Sequence, residues 1–172
     1  MKPFVANVAD LLNRPAARRR ERLRGRLDGL RVGVSEVHPS APIDVDVMLE
    51  WVSDGILATG SVTAPWRGEC RRCLGTAEGI LEVAFRELFE TKPVDGETYQ
   101  LGQDSIDLEP LVREVVMLDL SVAPLCRADC RGLCPTCGGD LNEAPCDCRS
   151  DDRDPRWAPL DLLLADPAVE QE

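Results

Sequence analysis

Six of the chain's eight cysteines lie between residues 126 and 148, in the run CRADCRGLCPTCGGDLNEAPCDC, and the other two form a Cys-x-x-Cys at Cys70 and Cys73. Thiolates two to three residues apart, with glycine and proline between them, can turn back on one tetrahedral cation at about 2.3 Å from each sulfur, as structural zinc is held. Eight sulfurs divide into two such sites, so zinc, two per chain, is the expected cofactor. Cys134, Cys137, Cys146 and Cys148 make a compact set in which Gly138 and Gly139 supply the turn. Cys126 and Cys130 have no partners nearby in sequence, nor do Cys70 and Cys73. The economical solution joins these four into a clip between the strand region and the end of the main helix. A second pairing, with Cys126, Cys130, Cys134 and Cys137 as one site and the outer pairs as the other, stays open, as does an iron–sulfur cluster.

The first residues, MKPFVANVADLLNRPAARRR, hold no apolar stretch long enough for a secretory signal, and no run approaches membrane-spanning length. The expected location is the cytoplasm, where reducing conditions favour metal over disulfides. A length of 172 residues suits one domain. With few aromatic residues, its core must rely on Val, Leu, Ile and Ala, helped by metal staples.

The net charge of −11 is unevenly spread. Residues 14 to 31 carry eight arginines against Glu21 and Asp28, leaving the rest of the chain strongly acidic. One end can meet phosphate while another meets basic protein. Leu23, Leu27 and Leu30 fall at helical spacing in this arm, which reads as a helix or as a segment that becomes helical on binding, with Gly25 and Gly29 against it.

Residues 30 to 90 read as strands: LRVGVSEV, IDVDVMLEWV, ILATGSVTAPW and GILEVAFRELFE alternate apolar and polar positions, and Asp54-Gly55 is a hairpin signal. The first Cys-x-x-Cys falls at a turn between two of them. IDLEPLVREVVMLDLSV then places Leu108, Leu111, Val112, Val115 and Leu118 on one helical stripe, with Asp107 suited to cap its start. WAPLDLLLA at 157 to 165 is an apolar tail that docks on the body or on a partner. The expected fold is α+β, an antiparallel β-meander or partly open barrel packed with one main helix, plus a cysteine-rich zinc-binding C-terminal region. Four parts follow: an arginine-rich arm (1–31), an α+β body with the first knuckle (32–125), the cysteine-rich zinc region (126–148) and a tail (149–172).

All-thiolate zinc has no open coordination position, so hydrolysis is not expected of either site. His38 sits in a surface turn, no phosphate-binding or nucleophile motif is present, and the acid run Asp151, Asp152 and Asp154 reads as solvated. The chain therefore reads as a non-enzyme with no small-molecule substrate and no membrane contact. Candidate nucleic-acid contacts are Arg18, Arg19, Arg20, Arg22, Arg24 and Arg26 in the arm, with Arg67, Arg71, Arg72, Arg127 and Arg131 around the first zinc site. These last five either offset the negative four-thiolate centre or meet RNA phosphates.

The order Cys-x-Arg-Cys-Leu at 70 to 74, Pro124-Leu125-Cys126, Gly132-Leu133-Cys134-Pro135-x-Cys137-Gly138 and Asp140-Leu141-Asn142 resembles the YceD family, the large ribosomal RNA subunit accumulation proteins. The similarity runs from about residue 30 through Asp154-Pro155-Arg156-Trp157. It implies a factor for 23S rRNA processing or protection, or for early assembly of the large ribosomal subunit. Its partners would be precursor RNA and a basic large-subunit ribosomal protein or another assembly factor. Some family members lack the Cys134 to Cys148 set, which fits Cys70, Cys73, Cys126 and Cys130 as the common site. Two other classes stand beside this one: a redox-sensing zinc-thiolate protein and a transcription-associated zinc module.

Overall fold

The alternation of residues 43 to 90 builds three long antiparallel strands, which set the frame for everything else. The computed structural model describes residues 2–53, 55–148 and 155–160. Strands β1 (Val5–Asn7), β2 (Arg18–Gly25), β3 (Arg31–Val32), β4 (Ser35–Glu36), β5 (Ile43–Val52), β6 (Gly55–Glu69), β7 (Thr76–Glu90), β8 (Tyr99–Gln100) and β9 (Ser105–Asp107) precede one helix, α1 (Glu109–Asp119). A 3-10 turn follows at Pro155–Leu160.

The main sheet runs β2-β5-β6, then β4-β3 beside the far end of β6, with β7 on β6's other edge and a short parallel β8 at the end of β7. It is an open sheet, not a closed barrel. Val52 pairs with Gly55 across the β5–β6 hairpin, as the Asp-Gly signal predicts, although Asp54 itself lies outside the described residues. β1 and β9 form a separate two-stranded ladder.

One face of the sheet is apolar. Ile43, Val45, Val47 and Leu49 of β5, Ile56, Ala58, Val62 and Ala64 of β6, and Leu81, Phe85 and Phe89 of β7 are buried in a single cluster under α1 and the N-terminal segment. Phe4, Ala6, Val8 and Leu11 enter the same core. The Phe4 carbonyl accepts from Leu108 N–H (2.9 Å), locking the chain's start against the start of α1. Gly60 sits where a Cβ would stand 2.1 Å from the Asp46 carbonyl oxygen, so β5 and β6 approach too closely there for a side chain.

The arm differs from the helix expected of it. Residues 18–25 are a strand paired along its whole length with β5, from Arg18 opposite Glu50 to Gly25 opposite Ile43. Arg18, Arg20, Arg22 and Arg24 point to solvent while Arg19, Glu21, Leu23 and Gly25 are half-buried. The period is therefore two, and a strand that pairs basic residues with acidic ones on β5 wins over a leucine spacing with only three members.

In α1, Leu108, Leu111, Val112 and Val116 are buried and Val115 is half-buried. Leu118, expected on the same stripe, is 79% exposed, because the buried face follows the 108, 112, 116 row and turns away from it. Leu108 is the N-cap residue, and Asp107 Oδ1 accepts from Glu109 N–H at 3.0 Å. In the tail, Trp157 and Leu160 are exposed, and the rest of the apolar run to 165 lies outside the described residues, as do Asp151, Asp152 and Asp154.

Candidate metal centres

The turn between β6 and β7 is a knuckle. Cys70 N–H donates to the Gly75 carbonyl (2.7 Å), and Leu74 N–H returns to the Cys70 carbonyl (2.9 Å), with Leu74 held at φ +59°. The second Cys-x-x-Cys repeats this geometry: Cys134 N–H donates to Gly139 (2.8 Å), and Gly138 N–H returns to Cys134 (2.9 Å), with Gly138 at φ +72°. Both turns thus present two sulfurs on one side of a loop whose fifth residue adopts the left-handed conformation that glycine takes most readily.

Four sulfurs gather at each knuckle. Cys70, Cys73, Cys126 and Cys130 form one group, and Cys134, Cys137, Cys146 and Cys148 the other, all ligand atoms within a group lying inside 4.8 Å of each other. The Cys70–Cys130 and Cys73–Cys126 sulfur separations are 3.8 and 3.7 Å. A tetrahedron with bonds of about 2.3 Å has edges of about 3.8 Å, so each group has the size to hold one metal ion. The structure does not bring Cys126, Cys130, Cys134 and Cys137 together as one group. At the first group Cys70 and Cys130 are buried, whereas Cys126 lies at the surface.

The electrostatics fit the same use. Backbone N–H groups of Cys126, Cys73 and Arg72 aimed at the Cys70 sulfur bring its thiol down to about 6. Those of Cys137 and Thr136 do the same for Cys134, also about 6. Desolvation and the neighbouring thiols of Cys130 and Cys73 push Cys126 up to about 12, and the Cys137 and Cys146 thiols do so for Cys148, also about 12. Each group thus contains one sulfur held readily as thiolate, Cys70 or Cys134, beside neighbours pushed the other way, Cys73 and Cys126 in the first and Cys146 and Cys148 in the second. A cation held at the centre of such a group would offset sulfur charges gathered at this spacing.

Backbone bonds tie the segments into one unit. Arg71 N–H donates to Pro124 (2.9 Å) and Leu133 N–H to the Arg72 carbonyl (3.0 Å), while the Arg72 side chain donates to the Cys130 carbonyl (2.8 Å). Asn142, which appears in the sequence only as part of the Asp140-Leu141-Asn142 motif, links the two halves. Its Nδ2 lies 3.5 Å from the Cys130 sulfur, and its Oδ1 accepts from Arg131 N–H and the Arg127 guanidinium, each at 2.8 Å. Its physical signal in the sequence is the Asp140-x-Asn142 pair, which commonly folds back on its own backbone, and here Asp140 Oδ1 accepts from Asn142 N–H (2.8 Å).

The candidate nucleic-acid arginines divide. Arg20 is bidentate to Asp46 (2.6 and 2.8 Å), Arg22 shares that carboxylate (3.1 Å) and Arg24 faces Asp44 (3.5 Å). Arg19 reaches Asp10, Glu21 and the Asn7 carbonyl, Arg67 pairs with Glu36 (2.8 Å), and Arg127 also meets Asp129 (3.4 Å). The guanidinium groups of Arg18, Arg26, Arg71 and Arg131 form no ion pair or hydrogen bond among the described residues, and all four are exposed. The Asp46 carboxyl is held below its ordinary range by the hydrogen bond from Arg20.

An open antiparallel sheet carrying one helix and two four-cysteine groups, one of them bridging sheet and C-terminal segment, defines a class of small cysteine-knuckle proteins with room for two metal ions. The family described as large ribosomal RNA subunit accumulation protein YceD matches residues 58–164, and this chain belongs to it. An uncharacterized protein of Mycobacterium tuberculosis is 42% identical over 136 residues, covering 74% of this chain and 65% of the relative. The Arabidopsis thaliana chloroplastic large ribosomal RNA subunit accumulation protein YCED homolog 1 is 34% identical over 58 residues, 34% of this chain and 18% of that one. Bacillus subtilis YlbN is 26% identical over 139 residues, 76% and 78% of the two chains. The chain thus spans slightly under two thirds of the mycobacterial relative's length. No solved structure matches. Among the described residues no helix is long and apolar enough to cross a membrane.

Proposed function

We propose that this chain is a non-catalytic factor for the accumulation of large-subunit ribosomal RNA, acting in 23S rRNA processing or protection or in early large-subunit assembly in the cytoplasm. It works as an adaptor that holds precursor RNA and a basic ribosomal protein or assembly factor. Two zinc ions, one on Cys70, Cys73, Cys126 and Cys130 and one on Cys134, Cys137, Cys146 and Cys148, serve as structural staples. The family's description supports the process. The observation that carries the RNA half is the pair of uncommitted, exposed guanidiniums of Arg71 and Arg131, both on segments that form the first cysteine group.

Arg71→Glu combined with Arg131→Glu tests it. The expected result is loss of co-sedimentation with large-subunit precursors at moderate salt, with two zinc ions per chain retained, because phosphate contacts fail while the thiolates stay in place. Undiminished co-sedimentation of the double variant would overturn the RNA contact.

A further inference from the structure

β7 leaves one long edge open. From Thr76 to Leu88 its ladder partner among the described residues is β6 alone, and β8 meets only Phe89 and Glu90. The β6–β7 register runs without interruption from Gly55 opposite Glu90 to Glu69 opposite Thr76, so no bulge breaks the edge. The Glu90 carbonyl accepts from Leu101 N–H at 2.8 Å and therefore points away from β6. Since backbone groups alternate in direction along a strand, those of Glu78, Ile80, Glu82, Ala84 and Arg86 point outward as well. Pro65 agrees with this phase. It lies opposite Ile80 and turns its nitrogen to β6's other edge, in the gap between the β5 pairing that ends at Thr63 and the β4 pairing at Arg67.

The side chains on this edge select an occupant. Ile80 is 74% exposed, and Glu78 and Glu82 flank it on the solvent face with no ion pair among the described residues. Arg67, across from Glu78, is engaged by Glu36. A regular edge without proline or lysine is a template for another strand. The opposite end of the same sheet already shows the arrangement, where arginine-rich β2 lies on β5 with Arg22 opposite Asp46 and Arg24 opposite Asp44.

We propose that the outer edge of β7 from Glu78 to Arg86 receives an extended basic peptide segment as an added strand. Main-chain bonds run to the outward groups of Ile80, Glu82 and Ala84, and basic side chains meet Glu78 and Glu82 across an apolar contact at Ile80. This rests on the protein-binding half of the adaptor reading and names its site.

The test uses the full zinc-loaded chain and a nine-residue peptide alternating arginine and valine, beside the same peptide N-methylated on alternate amides. Binding is read by titration and by hydrogen exchange of the β7 amides. The expected outcome is slowed exchange at Ile80, Glu82 and Ala84 with the plain peptide and affinity weakened by about tenfold or more on N-methylation. Ile80→Pro, which removes an outward N–H, and Glu78→Lys with Glu82→Lys, which keeps the backbone free, should each weaken binding to a similar degree. Equal binding of the N-methylated peptide, or no binding of either, overturns strand addition. So does protection of these amides in the free chain that disappears when residues 161–172 are removed, or that rises with protein concentration, since the occupant is then the chain's own tail or a second copy. Co-sedimentation of Ile80→Pro with precursor particles reports on the RNA half separately, so each failure can be told from the other.

Discussion

Leu74 and Gly138 occupy equivalent places in the two knuckles, and only one of them suits its backbone. A left-handed conformation costs an L-residue about 1–2 kcal/mol relative to glycine, which in turn loses more chain entropy on folding. Leu74 is 58% exposed and gains little burial in compensation. Leu74→Gly should therefore raise unfolding free energy by about 0.5–1 kcal/mol with metal content unchanged, measured by denaturant titration beside metal analysis. A loss of stability would mean that the leucine's contacts outweigh its strain. The cysteines were legible singly because their spacing speaks of one chemistry. Asn142 was not, since its value lies in reaching a sulfur twelve positions away and two donors at once.

At the scale of elements, β5, β6, β7 and α1 stand where alternation and helical spacing place them, because each buries one face against a common core. Two details escaped. The leucine spacing of the arm points to a helix, whereas residues 18–25 form β2 because they pair with the acidic positions of β5. Leu118 satisfies helical spacing from Leu111, but the sheet lies on the other side of the stripe. The distinction is measurable: Leu111→Ala should cost about 2–5 kcal/mol, and Leu118→Ala should stay within about 0.5 kcal/mol. Comparable losses from both would place the helix in a different rotation on the sheet.

Across the whole molecule the two cysteine groups do different work. The first joins a turn between β6 and β7 to a segment more than fifty residues further along, while the second closes a loop within 134–148. Cys73→Ser should then release the 124–148 segment from the sheet, seen as loss of hydrogen-exchange protection at Arg71 and Leu133 and a lowered melting temperature. Cys146→Ser should lower the metal content by one ion per chain and disturb 134–148 alone, if the group holds the metal proposed for it. Equal global unfolding by both variants would show that the groups act as one staple.

Taken alone, the sequence determined the two cysteine knuckles, the antiparallel strands of residues 43 to 90, the position of α1 and the family, since these depend on spacing and period within short stretches. The tertiary structure decided which sulfurs meet, that the arginine-rich segment is an edge strand, and that the first residues belong to the core. It also decided which guanidiniums stay uncommitted. Those outcomes depend on partners distant in sequence, such as Asp46 for Arg20 and Cys126 for Cys73, and an arginine's charge says nothing of which carboxylate the fold brings within reach.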